Sequence, residues 1–247
     1  MDFVSLWPKF WEVFYTQGAW KRVLSVGLVN TLKIALIGLA IGIVIGTIIA
    51  SIKVMPKYKV LPRVMEKFCD LYVNLFRGTP IVVQLLLAYF IIAPGFVTPF
   101  ILQPFFGIKA ADELTVCIIV FGLNSGAYVA EIMRAGILAV DPGQMEAGRA
   151  LGMSYFATML KIVVPQAIKH ILPTLGNELI ALVKDTSVVG FVAGVDLNKT
   201  FTEIGNVHYK FEIPYLAMAV VYIAMVAIIS LGIKIMERWL RKSDRRN

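Results

Sequence analysis

Long stretches without a charged side chain constrain this chain more than any other feature. Residues 34–52, 114–130 and 213–233 contain no Asp, Glu, Lys or Arg over 19, 17 and 21 positions. A helix needs about 20 mostly apolar residues to cross the hydrocarbon core of a bilayer, since each residue advances it about 1.5 Å. A longer uncharged run, 78–108, contains Pro94, Gly95, Pro99 and Pro104. A span beginning near Leu71 is therefore expected to end near Ala93 and give way to an external apolar loop. Residues 162–183 are interrupted by Lys169, His170 and Glu178, and form a span only where those groups face protein or water. Composition agrees: 58% of residues are hydrophobic and 16% charged, against about a quarter charged in soluble domains. These numbers exclude a soluble globule, a disordered chain, collagen and a disulfide scaffold. The expected fold class is all-α, a polytopic membrane helical bundle of about five transmembrane helices. The spans are about 26–53, 65–93, 112–138, 161–184 and 212–238, within a single transmembrane domain over 1–247.

Basic residues set the direction, because Lys and Arg accumulate on cytoplasmic loops. With the C-terminus cytoplasmic, Lys53, Lys57, Lys59, Arg63, Lys67, Arg134, Arg149, Lys161 and the run from Lys234 to Arg246 lie inside. The smaller set Lys9, Lys21, Arg22, Lys109, Lys199 and Lys210 lies outside. An odd number of spans then places the N-terminus outside, with Lys21 and Arg22 against the trend. Topology accounts for the net charge of +8, so no nucleic-acid partner is expected. No basic region precedes an apolar run at the start, so no cleaved signal peptide is expected. Trp7, Trp11 and Trp20 precede the first span, and Phe3, Phe10 and Phe14 share a helical face with the first two. Residues 1–22 read as an external interfacial segment or as an unordered tail. Gly38, Gly42, Gly46 and Ala50 form a small-residue stripe for close helix packing, within the subunit or between subunits. Cys69 and Cys117 lack metal-ligand spacing and read as buried thiols. No metal site and no catalytic constellation is expected, and no P-loop is present to cradle ATP phosphates.

The segment between the third and fourth spans is the most informative. Asp141 and Pro142 suit a helix start, Asp as cap and Pro in the first turn. Gly152 suits the left-handed position that ends a helix. A short helix at about 141–152 is expected, followed by a more apolar one leading to Pro165. It reads equally as a docking knob for a soluble partner or as a linker lying on the membrane.

Glu146-Ala147-Gly148, then Gly152, Ile162 and Pro165, resembles the "EAA" signature of ABC-importer permeases. The signature is departed from at Gly148, where Ala is usual, and at Val164, where Leu is usual. More of the chain is similar to the polar amino-acid uptake branch. Asn30-Thr31-Leu32, Arg77-Gly78-Thr79-Pro80 with Gln84, Asn124 with Ala127 to Arg134, and Pro173, Asn177-Glu178 and Lys184 to Ser187 carry that likeness. The resemblance implies a type I importer with the MetI-like permease fold, in a bacterial plasma (inner) membrane. It implies as partners a second permease subunit, identical or closely similar, two ABC ATPases and an extracytoplasmic amino-acid-binding protein. The chain itself would be no enzyme and hold no cofactor; ATP and Mg would sit on the ATPase. Glu146, Ala147, Gly148, Gly152, Ile162 and Pro165 would form the ATPase-coupling element.

A substrate path needs polar groups at membrane depth. Asn124 is ten residues from Arg134, about 15 Å along a helix. Ser125 adjoins it, and Gln84, Asn177 and Glu178 could reach similar depth. Interhelical hydrogen bonding and substrate contact both fit Asn124 and Gln84. Glu178 within a span reads as functional and would suit a cationic substrate. Glu131 and Arg134, three apart, read as a structural ion pair. Arg77, Gly78, Thr79 and Pro80 read as a structural break, with Arg77 snorkelling or capping freed carbonyls. Residues 186–195 read as a short re-entrant or surface helix. The alternative to an importer subunit is a secondary transporter or channel complete in one chain.

Overall fold

The computed structural model describes residues 18–58, 60–102, 104, 112–208 and 211–244, together with Pro8, Glu12 and Phe14. The expected interfacial segment 1–22 lies largely outside the described residues. Among them the regular structure is helical. Helix α1 is Ala19–Val54, with a π-helical stretch at Val23–Leu28. It is followed by α2 (Val60–Gly78), α3 (Ile81–Phe100), α4 (Glu113–Leu138) and the short α5 (Pro142–Ala150). Then come α6 (Tyr155–Thr158), α7 (Val164–Asp185), α8 (Leu197–His208) and α9 (Glu212–Asp244).

Four of the described helices are long and apolar enough to cross a membrane: Ala19–Val54, Ile81–Phe100, Glu113–Leu138 and Glu212–Leu240. The expected fourth span lies on α7, a continuous helix outside that group of four, because Lys169, His170 and Glu178 dilute its apolar character. The range 65–93 is not one helix. α2 stops at Gly78, Pro80 takes an extended conformation (φ −63°, ψ 137°), and α3 starts anew at Ile81. Pro94 and Pro99 do not open the expected loop. A π-helical stretch, Ala88–Leu102, carries the chain through both prolines. Wider winding of this kind accommodates residues that cannot make the ordinary i→i−4 bond.

The chain forms two compact units. The first comprises Met1–Gly38, Pro80–Phe121 and Ala181–Ala227. Its core includes Val23, Ile34, Leu85, Phe121, Val189, Val192, Leu197 and Phe201, each fully buried. α8, to which the sequence expectations assign nothing, docks here. Gly27 of α1 faces it so closely that a Cβ would sit 2.8 Å from Thr200 Oγ1. Asp196 starts α8 from a fully buried position, accepting from the backbone N–H groups of Lys199 (2.8 Å) and Asn198 (3.1 Å). Asn30 and Thr31 hold the preceding turn: Asn30 Nδ2 donates to Val195 O at 2.8 Å, and Thr31 Oγ1 accepts from Leu197 N at 3.1 Å. Residues 186–192 form a 3₁₀ helix that ends at Ala193 in the left-handed region (φ 60°).

The second unit comprises Leu39–Thr79, Gly122–Ile180 and Ile228–Asn247. Here the glycine stripe is used within the subunit. A Cβ on Gly42 would meet Ser125 Oγ at 2.7 Å, and one on Gly46 would meet Val129 Cγ1 at 2.6 Å. From the other side Gly122 receives Ile41, and Gly126 receives Ile45 and the Tyr72 hydroxyl. Backbones can approach this closely only where side chains are absent. One apolar cluster joins Val129, Val140, Val163, Ala167, Ile171 and Leu175, with Met145 of α5 packed against it.

Candidate functional site

Two constructions in the second unit bear on function. The first is the segment from Asp141 to Pro165. The Asp141 carboxylate accepts from Gly143 N at 2.8 Å and starts α5, with Pro142 in the first turn. The helix ends in a Schellman arrangement: Met153 N donates to Gly148 O (3.1 Å) and Gly152 N to Arg149 O (3.0 Å). Gly152 sits at φ +82°, which a residue with a Cβ adopts only under strain. The expected helix and its stop are thus both formed. Gly148, the departure from the signature, has a steric cause. It is buried, and a Cβ there would lie 2.5 Å from Thr158 Cγ2 and 3.2 Å from Ile162 Cδ1. The space an alanine methyl needs is taken by Thr158, which is itself fully buried and hydrogen-bonded to Ser154 O at 3.0 Å.

α5 is therefore seated by its backbone, and by Met145, while Glu146, Ala147 and Leu151 face outward; Leu151 is 82% exposed. Gln144 and Gln166 add a side-chain bond of 3.1 Å between α5 and α7. Pro165 does not interrupt the helix that reaches it. A π turn at Met159–Val163 leads from α6 into α7, and Pro165 lies in the first turn of α7, where a missing N–H costs least. The Tyr155 hydroxyl donates to Val54 O, the end of α1, at 3.1 Å. Burial pushes its pKa above the ordinary tyrosine value, which keeps it a donor.

The second construction is a polar file along α4 and α7. Ser125 Oγ donates to Glu178 Oε1 at 3.0 Å, and Asn124 Nδ2 donates to Phe76 O at 3.3 Å. Asn124 and Ser125 are buried, Glu178 is half-buried and Asn177 exposed. Gln84 belongs to the other unit, half-buried on α3. One turn further along each helix, a cavity of about 410 Å³ is lined by Arg77, Tyr128, Glu131, His170 and Thr174, among others. Glu131 is claimed twice: Lys53 Nζ lies 2.7 Å from Oε1 and Arg134 Nη2 lies 2.8 Å from Oε2. Lys53 also pairs with Asp70 at 2.9 Å. The two-residue ion pair read from sequence is thus a four-residue network tying α1, α2 and α4. Arg77 does not cap the break in the helix; Thr79 does, through a 2.7 Å bond to Leu75 O. The Arg77 guanidinium lies instead over the Tyr128 ring, 5.3 Å from its centroid. Sequence reasoning gives no site role to Lys53, Asp70, Tyr128, Thr158, His170 or Thr174. The spacings i,i+3 and i,i+4 from Asn124 and Glu178 could have found Tyr128 and Thr174; nothing in the sequence marks Thr158. Among the described residues no group of His, Cys, Asp or Glu could hold a metal ion.

Residues 38–243 match a family described as the binding-protein-dependent transport system inner membrane component. The chain is 34% identical over 218 residues to an arginine transport system permease protein, ArtQ, of Bacillus subtilis, covering 88% of this chain and 92% of that one. It is 38% identical over 178 residues to a putative glutamine transport system permease protein, GlnP, of Rickettsia bellii, covering 72% and 77%. A solved amino acid ABC transporter with histidines superposes at a TM-score of 0.75 with 35% identity, over 96% of this chain and 98% of that one. The MetNI methionine transporter in an inward-facing form shares the fold at a TM-score of 0.71 and 20% identity, over 88% and 96%.

Proposed function

The chain belongs to the family of binding-protein-dependent transport system inner membrane components, and on that premise we propose that it is the permease subunit of an ATP-driven importer of polar amino acids. It is a multi-pass membrane protein of a family of transport permeases rather than enzymes. The observation that carries the reading is the seating of α5. Gly148 locks the helix onto Thr158 while Glu146, Ala147 and Leu151 remain outward, which leaves a rigid knob with one face available. A cleft in a separate ATPase takes that face, and closure of two ATPases moves the knobs of two permease subunits together. ATP and Mg are held on the ATPase; this chain holds no cofactor. An extracytoplasmic binding protein delivers the amino acid. α7 serves as the fourth of five spans, with the N-terminus outside and the C-terminus in the cytoplasm. The file of Asn124, Ser125, Asn177 and Glu178 supplies polar groups of the path, and a polar helix face of this kind is tolerated at membrane depth where it lines protein or water.

Coupling requires that the two states of the transporter contact the ATPase differently. Glu146→Lys is expected to leave the subunit in the membrane and the purified complex intact. Amino-acid-stimulated ATP hydrolysis in proteoliposomes should fall by about ten-fold or more, the loss expected of a charged contact at the centre of an interface. Stimulation equal to the parent's would remove the docking role, and full-rate uptake by this chain without any ATPase would remove the importer reading.

A further inference from the structure

We propose that Lys53 is a positioning residue for transport, the junction through which a displacement of the α5–α6 segment is passed to α2 and α4. This route rests on the importer reading and deepens it, since it names the side chain by which the stroke of the ATPase leaves the knob. It starts at Tyr155, the first residue of α6, whose hydroxyl donates to Val54 O at 3.1 Å. Val54 is the last residue of α1, and Lys53 stands directly before it. The Lys53 side chain is 12% exposed, and its ammonium group reaches Glu131 of α4 at 2.7 Å and Asp70 of α2 at 2.9 Å. One side chain thus fastens three helices at the point where α6 touches α1. Glu131 is fixed from its other oxygen by Arg134 at 2.8 Å, so the acid has no freedom to turn away.

α2 turns its charges inward to build this junction. Leu61, Val64, Phe68, Leu71 and Leu75 are exposed along one face of the helix. Glu66 and Asp70, one turn apart, point the other way and meet Lys57 and Lys53 in antiparallel order, Lys57 with Glu66 and Lys53 with Asp70. Lys53, Lys57 and Arg134 supply three positive charges, and Glu66, Asp70 and Glu131 three negative ones, so the set is neutral as it stands. Half-buried ions of this kind are stable only while each keeps its partner. When the end of α1 moves, it therefore either carries Asp70 and Glu131 with it or separates opposite charges in a poorly hydrated place. The first course is the cheaper, and it moves α2 and α4 together. Lys57 provides an internal contrast. It lies in the turn after α1, and among the described residues it bonds to Glu66 and to Arg63 but to nothing on α4 or α6.

A route of this kind is established by coupling measurements rather than by proximity. The test is hydrogen–deuterium exchange of the whole permease–ATPase complex in nanodiscs, with and without ATP and vanadate, read separately over residues 141–160, 60–78 and 122–138. ATP hydrolysis is measured alongside, with and without L-arginine or L-glutamine on the binding protein. In the parent, all three segments are expected to change protection when nucleotide binds. In Lys53→Gln the change over 141–160 should remain and those over 60–78 and 122–138 should be lost. Amino-acid stimulation of hydrolysis should fall about five-fold or more, the lower end of the usual coupling between sites. Lys53→Arg, which can still hold both acids, should respond as the parent does. Lys57→Gln removes a pair of the same kind outside the junction; it should lower Tm yet leave the nucleotide response in place, which a merely structural role for Lys53 would not allow. Asp70→Asn should silence 60–78 and Glu131→Gln should silence 122–138, and these two serve if Lys53→Gln fails to assemble. Tyr155→Phe should weaken both responses. Responses of α2 and α4 that persist in Lys53→Gln, or in both Asp70→Asn and Glu131→Gln, would overturn the junction. So would an equal loss in Lys57→Gln or an unchanged response in Tyr155→Phe. The importer reading fails separately, if the parent complex shows no ATP-driven amino-acid uptake.

Discussion

Two joints between helices, the one ending α5 and the one starting α8, solve the same problem by opposite means. At α5 the backbone does the holding. Gly148 brings main chain against Thr158, and Gly152 turns the chain left-handed. At α8 side chains do it. Buried Asp196 caps the helix, and Asn30 and Thr31, more than 160 positions earlier, hold the turn before it. A joint made of missing side chains is intolerant of any addition. A joint made of hydrogen bonds tolerates isosteres and responds to pH. The contrast also fits their proposed tasks, since a knob that conveys force must not deform, whereas a turn buried in a helical core needs only its polar groups satisfied.

The contrast can be broken at four places. Gly148→Val should have the largest effect. Its added atoms collide with Thr158 and Ile162, and overpacking at a buried contact costs about 1–3 kcal/mol. Thermal unfolding of the purified subunit would show it, and ATPase co-purification should fall with it. If Gly148→Val is neutral, the backbone seating is wrong. Gly152→Ala comes next, at about 1–2 kcal/mol for a Cβ forced into the left-handed region. The measured loss should persist in Gly152→Val but be smaller in Gly152→Asn, which tolerates that conformation.

At the other joint, Asp196→Ala should cost about 1 kcal/mol, as loss of a helix cap does, whereas Asp196→Asn keeps an acceptor and should be nearly neutral. Burial raises the Asp196 carboxyl pKa above its ordinary value, against the opposing backbone bonds from Lys199 and Asn198. The folded state therefore holds this proton more tightly than the unfolded chain. Its stabilisation is fully present below the ordinary carboxylate range and is lost as pH rises through the raised folded value. Stability curves of the parent and Asp196→Asn, measured through that window, should differ in slope, and parallel curves would refute the assignment. Tyr155→Phe should have the smallest effect, about 0.5–1.5 kcal/mol for one hydrogen bond to the last carbonyl of α1. A larger loss in Tyr155→Phe than in Gly152→Ala would mean that the α5 segment is held by side chains after all.

The apolar runs, the short helix with its Asp141 start and Gly152 stop, and the break before Pro80 were legible because each rests on local chemistry. The α5 signature at Glu146, Gly148, Gly152, Ile162 and Pro165 was legible through its spacing. α8 was not, since its cap and the turn before it are completed by partners on α1. Arg77 illustrates the limit most directly. Its neighbours in sequence suggested a hinge, but the cavity it lines with His170 and Thr174 exists only once α2, α4 and α7 are brought together.

The sequence by itself determined that this chain is a membrane-embedded helical protein with a short, precapped helix between two longer ones. Runs of apolar side chains, glycine's freedom and proline's missing donor act over a few residues and need no partner. Only the tertiary structure decided which glycines are steric necessities, which carboxylates are neutralised and which cation is left facing open space. Those properties depend on distances between residues far apart in the chain, and a distance across a fold is written in no single segment of it.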